Sequence, residues 1–171
     1  MNPTFEHDPR VGTDERPAHE HPLAQPLLGL VEQSLWANRQ WVEFVYSQPD
    51  PEVRSREILA HIMVGERVWF ERIEREPRTT ATFLRLGKEE LLRGFDENAK
   101  TFRRLIGADL QDDIHFRRAS GEEYHARVAD IIYHLLTHGY HHRGQLAAHY
   151  ARSDMKYPNT DHINFLIENK L

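Results

Sequence analysis

One amphipathic segment, from Asp130 to Arg152, constrains the fold of this chain more than any other part of the sequence. Its apolar residues recur at the spacing of an α-helix that buries one face against neighbouring elements. The segment also carries five of the chain's twelve histidines. It therefore predicts one long helix in which several imidazoles lie close to an apolar stripe.

Two of these histidines, His138 and His142, are four residues apart. On an α-helix such residues share a face, with Cβ atoms about 5–6 Å apart, so both imidazoles can bind one metal ion. Their neighbours on that face are Ile131, Leu135 and Leu146. A polar side chain on an apolar face costs free energy unless it is bonded. Spacing and position together favour a metal site.

A second pair with the same spacing is formed by His134 and His138. Successive steps of four residues drift by roughly 40° around a helix, so His134, His138 and His142 cannot all point equally well at one ion. His141 is a further imidazole close to the pair. Spacing alone leaves the choice between the two pairs open.

Composition excludes several classes of protein. A chain of 171 residues suits one domain. The absence of cysteine excludes disulfides, a thiolate metal site and covalent catalysis by a protein thiol. A net charge of −5 argues against a nucleic-acid partner. No apolar run is long enough to span a membrane and the N-terminus lacks the apolar core of a signal peptide, so we expect a cytoplasmic protein without a membrane partner.

Patterns along the chain predict two regions, a flexible N-terminal arm over residues 1–22 and one domain over residues 23–171. The arm is rich in proline and charge and nearly lacks apolar side chains. The domain is predicted to be all-α, an antiparallel four-helix bundle with a short hairpin-like insertion before the fourth long helix and a short C-terminal helix. The predicted elements are helices at about 23–47, 52–75, 88–106 and 130–152, a hairpin near 113–127, and a last helix capped by Thr160 or Asp161.

Two polar residues lie within the apolar stripes of the first two helices. A lone histidine such as His61 is usually a bonded core residue, but a metal ion held by two histidines of another helix needs a third ligand. Gly65, one turn after His61, leaves space beside it. Asn38 has two interpretations: it is either a buried amide bonded to a neighbouring helix or a side chain that faces the histidine site.

Several motifs, taken together, resemble one known family. The sequence HGYHHRGQ at 138–145 resembles the His-x-x-x-His-Arg-Gly-Gln signature of the DinB superfamily. LWAN at 35–38 and LAHIMVGERVW at 59–69 are similar to its first and second helix segments, and Pro158, Asp161 and Phe165 to its C-terminal segment. The resemblance covers about residues 23–168.

The resemblance implies a four-helix bundle that binds a divalent metal through His61, His138 and His142. His134 is then expected in the second shell, where it bonds to a ligand or caps the pocket. Arg143, the neighbour of His142, is a candidate pocket residue together with Asn38; it binds either a substrate carboxylate or a partner within the bundle. Two positions depart from the family pattern. His141 is a competing imidazole, and Arg127 stands where a helix-capping Ser or Thr is typical.

The function implied by the resemblance is metal-dependent chemistry of low-molecular-weight thiols, as in bacillithiol-type S-transferases and a mycothiol-dependent maleylpyruvate isomerase. The ion is expected to be zinc or nickel. The partners are expected to be a small-molecule thiol or electrophile and a second copy of the chain in a homodimer. Because the chain has no cysteine, the reacting sulfur must arrive on a cosubstrate. The alternatives are a metal-dependent hydrolase that uses a bound water and a non-catalytic metal-binding stress protein.

Overall fold

Five helices and a two-stranded antiparallel hairpin make up the described part of the chain, residues 21–77, 86–117, 120–153 and 155–169 of a computed structural model. In chain order they are α1 (Ala24–Tyr46), α2 (Val53–Ile73), α3 (Lys88–Ile106), β1 (Asp113–Arg117), β2 (Glu123–Arg127), α4 (Val128–Arg152) and α5 (His162–Asn169). This confirms the mostly helical fold. Residues 1–20 of the predicted N-terminal arm lie outside the described residues.

Local hydrogen bonds explain where α2 and α4 begin. The Glu52 carboxylate accepts a hydrogen bond from the Ser55 amide at 3.2 Å, which satisfies one of the unpaired N–H groups of the first turn of α2. At α4, Arg127 occupies the capping position without a side-chain cap. Its guanidinium instead donates to Asp130 at 2.8 Å, so the first-turn carboxylate is bonded although the usual Ser or Thr is absent.

Two of the helix pairs run antiparallel. Salt bridges join α1 to α3, with Glu32 bonded to Arg103 near one end and Glu43 to Lys88 near the other. Helix α2 also runs opposite to α4, because residues later in α2 meet residues earlier in α4.

Two other pairs run in the same direction, which the sequence did not predict. Ser34 and Trp41 of α1 contact Arg143 and Tyr150 of α4, in the same order along both helices. Helices α2 and α3 are parallel in the same way. The connection over residues 74–87 permits this, since at about 3.3 Å per residue it is long enough to return the chain along α2, whose 21 residues extend about 32 Å.

The hairpin leads directly into α4. His115 lies opposite His125 in the antiparallel register, and both side chains are solvent-exposed. Ile114 of β1 is buried. The Val128 amide donates to the carbonyl of Asp112 at 3.0 Å, so the start of α4 is tied to the strand. No helix in the described ranges is long and apolar enough to cross a membrane.

The core consists of two apolar clusters with buried polar side chains where they meet. Val31 and Phe102 belong to the first cluster and Phe95 to the second, and all three line a small cavity together with Ser34, Asn38 and Glu66. The buried polar residues are Gln33, Ser34, Asn38, Ser55, Glu66, Asn98 and Arg143. Polar groups in such a position are tolerated only when they are bonded or compensated in charge.

The buried cation among them is Arg143, which is only 2% exposed. Its Nη1 donates to the Asn38 side-chain oxygen at 2.8 Å, and its guanidinium lies 4.7 Å from the centre of the Tyr140 ring. Burial lowers the pKa of Arg143 to about 10, so the group is still charged at neutral pH. The cation therefore joins α4 to α1 through Asn38.

Glu66 is the buried acidic side chain whose charge acts on Arg143. It is 3% exposed and accepts a hydrogen bond from Asn98 Nδ2 at 2.7 Å. Burial raises the pKa of Glu66 to about 7, while the Asn98 hydrogen bond and the charges of Arg143 and Arg67 act in the opposite direction. Near neutral pH the buried Glu66 carboxyl group is therefore partly protonated.

Gly139 makes room for Arg143 on α4. A Cβ atom at this position would lie 2.9 Å from Arg143 Nη1, whereas a Cβ at Gly144 on the same helix would have no neighbour within 4 Å. In both Gly139→Ala and Gly144→Ala, the higher helix propensity of alanine stabilises the helix by about 1 kcal/mol. We predict that Gly139→Ala has a free energy of unfolding about 1–3 kcal/mol lower than Gly144→Ala because of overpacking. Urea denaturation measures this difference, and equal stabilities would contradict it.

Glu66→Gln should change how stability depends on pH. The pKa of Glu66 is about 7 in the folded chain and 4.5 as the reference value, so the folded state binds more protons in that window. The stability that Glu66 contributes is present below pH 4.5 and lost as the pH rises through 7. The free energy of unfolding of Glu66→Gln, relative to the parent, should thus increase by up to about 3 kcal/mol across the window.

Denaturation of the metal-free proteins at several pH values measures this trend. Glu89→Gln is the control, since Glu89 is exposed on α3 and should show no comparable change. A difference between Glu66→Gln and the parent that is independent of pH would contradict the prediction.

Candidate metal centre

Three histidines from two helices meet at one point on the surface. His61 of α2 and His138 and His142 of α4 each offer a ligand nitrogen, and these atoms all lie within 4.8 Å of one another. The ring centroids are 5.1 Å apart for His61 and His138, 4.6 Å for His61 and His142, and 4.3 Å for His138 and His142. His61 is exposed and the other two are half-buried, so the group opens to solvent.

The spacing within the α4 pair fits one bound ion. The Nε2 atoms of His138 and His142 are 3.0 Å apart. Two nitrogens that bind one ion at about 2.0–2.1 Å lie roughly 2.9–3.4 Å apart for right-angled to tetrahedral geometry. In the metal-free protein the same distance suits a hydrogen bond between the rings. Both nitrogens therefore face the position that a shared metal ion requires.

Gly65 allows α2 to approach α4 at this point. A Cβ atom on Gly65 would lie 3.6 Å from Cε1 of His138, which is ordinary van der Waals distance, so the gap between the helix backbone and the imidazole holds no more than a methyl group. Next to His61, Ile62 and Met63 are buried in the core and hold α2 in place. The third imidazole is thus positioned by close helix packing, since a large side chain at Gly65 would separate the two helices.

The surroundings favour neutral imidazoles. Burial, followed by the neighbouring histidines, lowers the pKa of His138 to about 4. Burial also lowers the pKa of His61, with smaller effects from His142 and Arg54. A neutral imidazole is the form that binds a metal ion. Among the described residues no carboxylate belongs to this group, so its donor set is three nitrogens.

Two further imidazoles flank the group without joining it. The His134 ring lies 5.8 Å from that of His138 and 5.8 Å from that of Trp69. In the described part of the chain its ring forms no hydrogen bond to a ligand, and its second-shell role stays a prediction. The His141 ring lies 5.0 Å from that of His142 and also outside the group.

Asn38 and Arg143, the predicted pocket residues, lie in the core. Each is 2% exposed, and they bond to each other. This contact matches the structural alternative for both residues, a buried amide and an arginine bonded within the helices. Their role in binding a substrate stays a prediction.

Gln145 is a residue of the site that the sequence analysis did not single out. Its Oε1 lies 2.9 Å from Nδ1 of His142, and its Nε2 lies 3.1 Å from Nε2 of His141. The available signal was its spacing, three residues after one histidine and four after the other. Glu66 was missed for a different reason, because its burial depends on packing between helices.

Comparison with known proteins identifies the family of this chain. The family model described as "DinB family" matches residues 27–163. That range contains all three histidines and most of the described helices. A search of curated proteins found no match. The match covers well over half of the chain, and the chain therefore belongs to the DinB family.

Proposed function

We propose that this chain is a divalent-metal-dependent enzyme of low-molecular-weight-thiol chemistry, similar to an S-transferase, on a four-helix bundle. The observation that carries the proposal is the meeting of three imidazoles from α2 and α4 at an exposed point, with ligand nitrogens within 4.8 Å of one another. Three nitrogen ligands are typical of a catalytic site that keeps a position open for a substrate. The contacts among the four long helices support the bundle arrangement in this proposal.

In this proposal His61, His138 and His142 hold the ion, and zinc or nickel suits three imidazoles. When bound, such an ion would lower the pKa of a coordinated thiol enough to make it a thiolate at neutral pH. The half-buried rings of His138 and His142 exclude water from one side. The exposed side, at His61, leaves room for a cosubstrate and an electrophile to enter.

One feature of the site favours a thiol over water as the nucleophile, and the composition shows where its sulfur would come from. The chain contains no cysteine, so a sulfur nucleophile has to come from a cosubstrate, and the open site is accessible to one. In addition, no carboxylate of the described residues joins the histidines. Metal-dependent hydrolases of the H-E-x-x-H type use a glutamate to take up the proton of water. A thiol needs such a base much less, because it is far more acidic than water.

Metal content tests the ligand set. We predict that replacing His61, His138 or His142 by Ala abolishes stoichiometric zinc or nickel, because two remaining imidazoles bind weakly. Metal should also stabilise the parent by about 2.7 kcal/mol at a free concentration of 100 Kd, since the unfolded chain lacks the assembled site. Elemental analysis of tag-free protein and thermal denaturation with and without chelator measure both effects.

The controls are His134→Ala and His141→Ala, which should keep full metal content. If His142→Ala keeps its metal while His134→Ala loses it, the ion is bound by the pair one turn earlier. A parent chain that binds neither zinc nor nickel removes the proposed function.

Activity distinguishes the transferase from its alternatives. We predict that the metal-loaded chain accelerates the reaction of a low-molecular-weight thiol, such as bacillithiol or mycothiol, with monochlorobimane. A sulfur–carbon bond forms, the carbon–chlorine bond breaks, and chloride and the thiol proton are released. His61→Ala should lose this acceleration. His149→Ala should retain it, because His149 lies outside the group and pairs with Glu52 at 3.4 Å.

Fluorescence of the bimane product measures the rate. Turnover of esters or amides without any thiol would instead indicate a hydrolase. A metal-loaded protein with neither activity across a broad panel of thiols, esters and amides would contradict the enzymatic proposal and indicate a metal-binding protein without turnover.

A further inference from the structure

We propose that Gln145 is the positioning residue of the metal centre. Its side-chain amide holds His142 in the tautomer that offers Nε2 to the ion, and the same amide keeps His141 out of the ligand group. This inference rests on the proposed metal-dependent function and adds a residue and a role to it.

The geometry on α4 brings three side chains together. Gln145 follows His141 by four residues and His142 by three, so all three share one side of the helix. The amide oxygen lies 2.9 Å from Nδ1 of His142 and the amide nitrogen lies 3.1 Å from Nε2 of His141. One side chain thus contacts both a metal ligand and its nearest competitor.

Proton positions determine which way this amide must point. His142 faces the shared position with Nε2, 3.0 Å from Nε2 of His138. A neutral imidazole that binds through Nε2 carries its hydrogen on Nδ1, and that N–H needs an acceptor. The Gln145 oxygen is an acceptor, whereas its NH2 group would place two donors face to face. The observed amide orientation is therefore the one that favours metal binding by His142 through Nε2.

The other end of the amide then acts on His141. With Oε1 directed at His142, the NH2 group faces Nε2 of His141 and donates to its lone pair. That lone pair is the one that His141 would need to bind an ion through Nε2. His141 departs from the family pattern, but its imidazole is already bonded to Gln145 and so does not compete for the ion.

His142 differs in this respect from the other two ligands. Among the described residues, neither His61 nor His138 has a side-chain acceptor at its second ring nitrogen. Hydrogen bonds from the second nitrogen orient a ligating imidazole and raise its basicity. The loss of Gln145 should therefore weaken the centre through His142 alone.

Zinc affinity tests the proposal, measured by competition with a chromophoric chelator. Gln145→Leu removes both hydrogen bonds and should weaken zinc binding about 10–100-fold. Gln145→Glu keeps an acceptor for the His142 N–H and should stay within roughly threefold of the parent. His141→Ala leaves the bond to His142 intact and should bind zinc like the parent.

Nitrogen NMR supplies a readout that a purely structural role would not change. Two-bond proton–nitrogen spectra of the metal-free protein should show His142 as the Nδ1–H tautomer in the parent and in Gln145→Glu. In Gln145→Leu the two tautomers should be mixed. Gln145 is solvent-exposed, so the melting temperature of the metal-free variants should match that of the parent.

The outcomes separate this inference from the proposed function. Parent-like zinc affinity in Gln145→Leu, or equal losses in Gln145→Leu and Gln145→Glu, would overturn the role of Gln145 while leaving the metal centre intact. Loss of zinc in His141→Ala would show that His141 is itself a ligand and would also overturn it. A parent that binds no zinc or nickel would remove the proposed function and this inference together.

Discussion

The contact between α2 and α4 at Gly65 is the constraint on which the rest of the site depends. His138 and His142 are neighbours on one helix and would be close in any fold that keeps α4 intact. The third imidazole is different, because His61 reaches them only if the two helix backbones come close together. Gly65 permits this by placing no side chain between α2 and the His138 ring. The group of three histidines is therefore a consequence of helix packing as much as of histidine spacing.

A second constraint lies behind the site, in the polar part of the core. Arg143 is buried next to His142 and bonds to Asn38 of α1, which couples the register of α1 and α4. A buried guanidinium costs free energy unless it is bonded and its charge is balanced. Asn38, the Tyr140 ring and the charge of Glu66 provide part of that compensation, while Nε and Nη2 of Arg143 have no hydrogen-bond partner among the described residues. The register of α4, and with it the direction of its histidines, is tied to this interaction.

The turn of α4 around His142 carries side chains that point in different directions and make different contacts. Successive residues point about 100° apart around an α-helix. His142 consequently faces the ion position, Arg143 faces the core, and Gln145 returns to the side of His142 and contacts it. Gly144, between them, has open space around it. One segment of four residues thus contributes to the histidine group, to the register of α4 and to the environment of the His142 ring.

The sequence by itself determined the features that depend on local periodicity. The helix boundaries, the hairpin at 113–127, the absence of thiol ligands and the pairing of His138 with a histidine one turn away all follow from spacing and composition. Membership of the DinB family was also recognisable, because its motifs are short and contiguous. The choice of His142 over His134, by contrast, came from family resemblance, since both pairs satisfy the same spacing.

Only the tertiary structure decided which distant residues meet. The parallel pairings of α1 with α4 and of α2 with α3 depend on which helices lie side by side, and that leaves no periodic signal in the sequence. The burial of Asn38 and Arg143 against each other, and the raised pKa of Glu66, arise from contacts between residues far apart in the chain. Helical periodicity shows which face of a helix is apolar, but it does not show which helix covers that face. Burial and electrostatic environment are set by that neighbour, so they became visible only when the helices were packed.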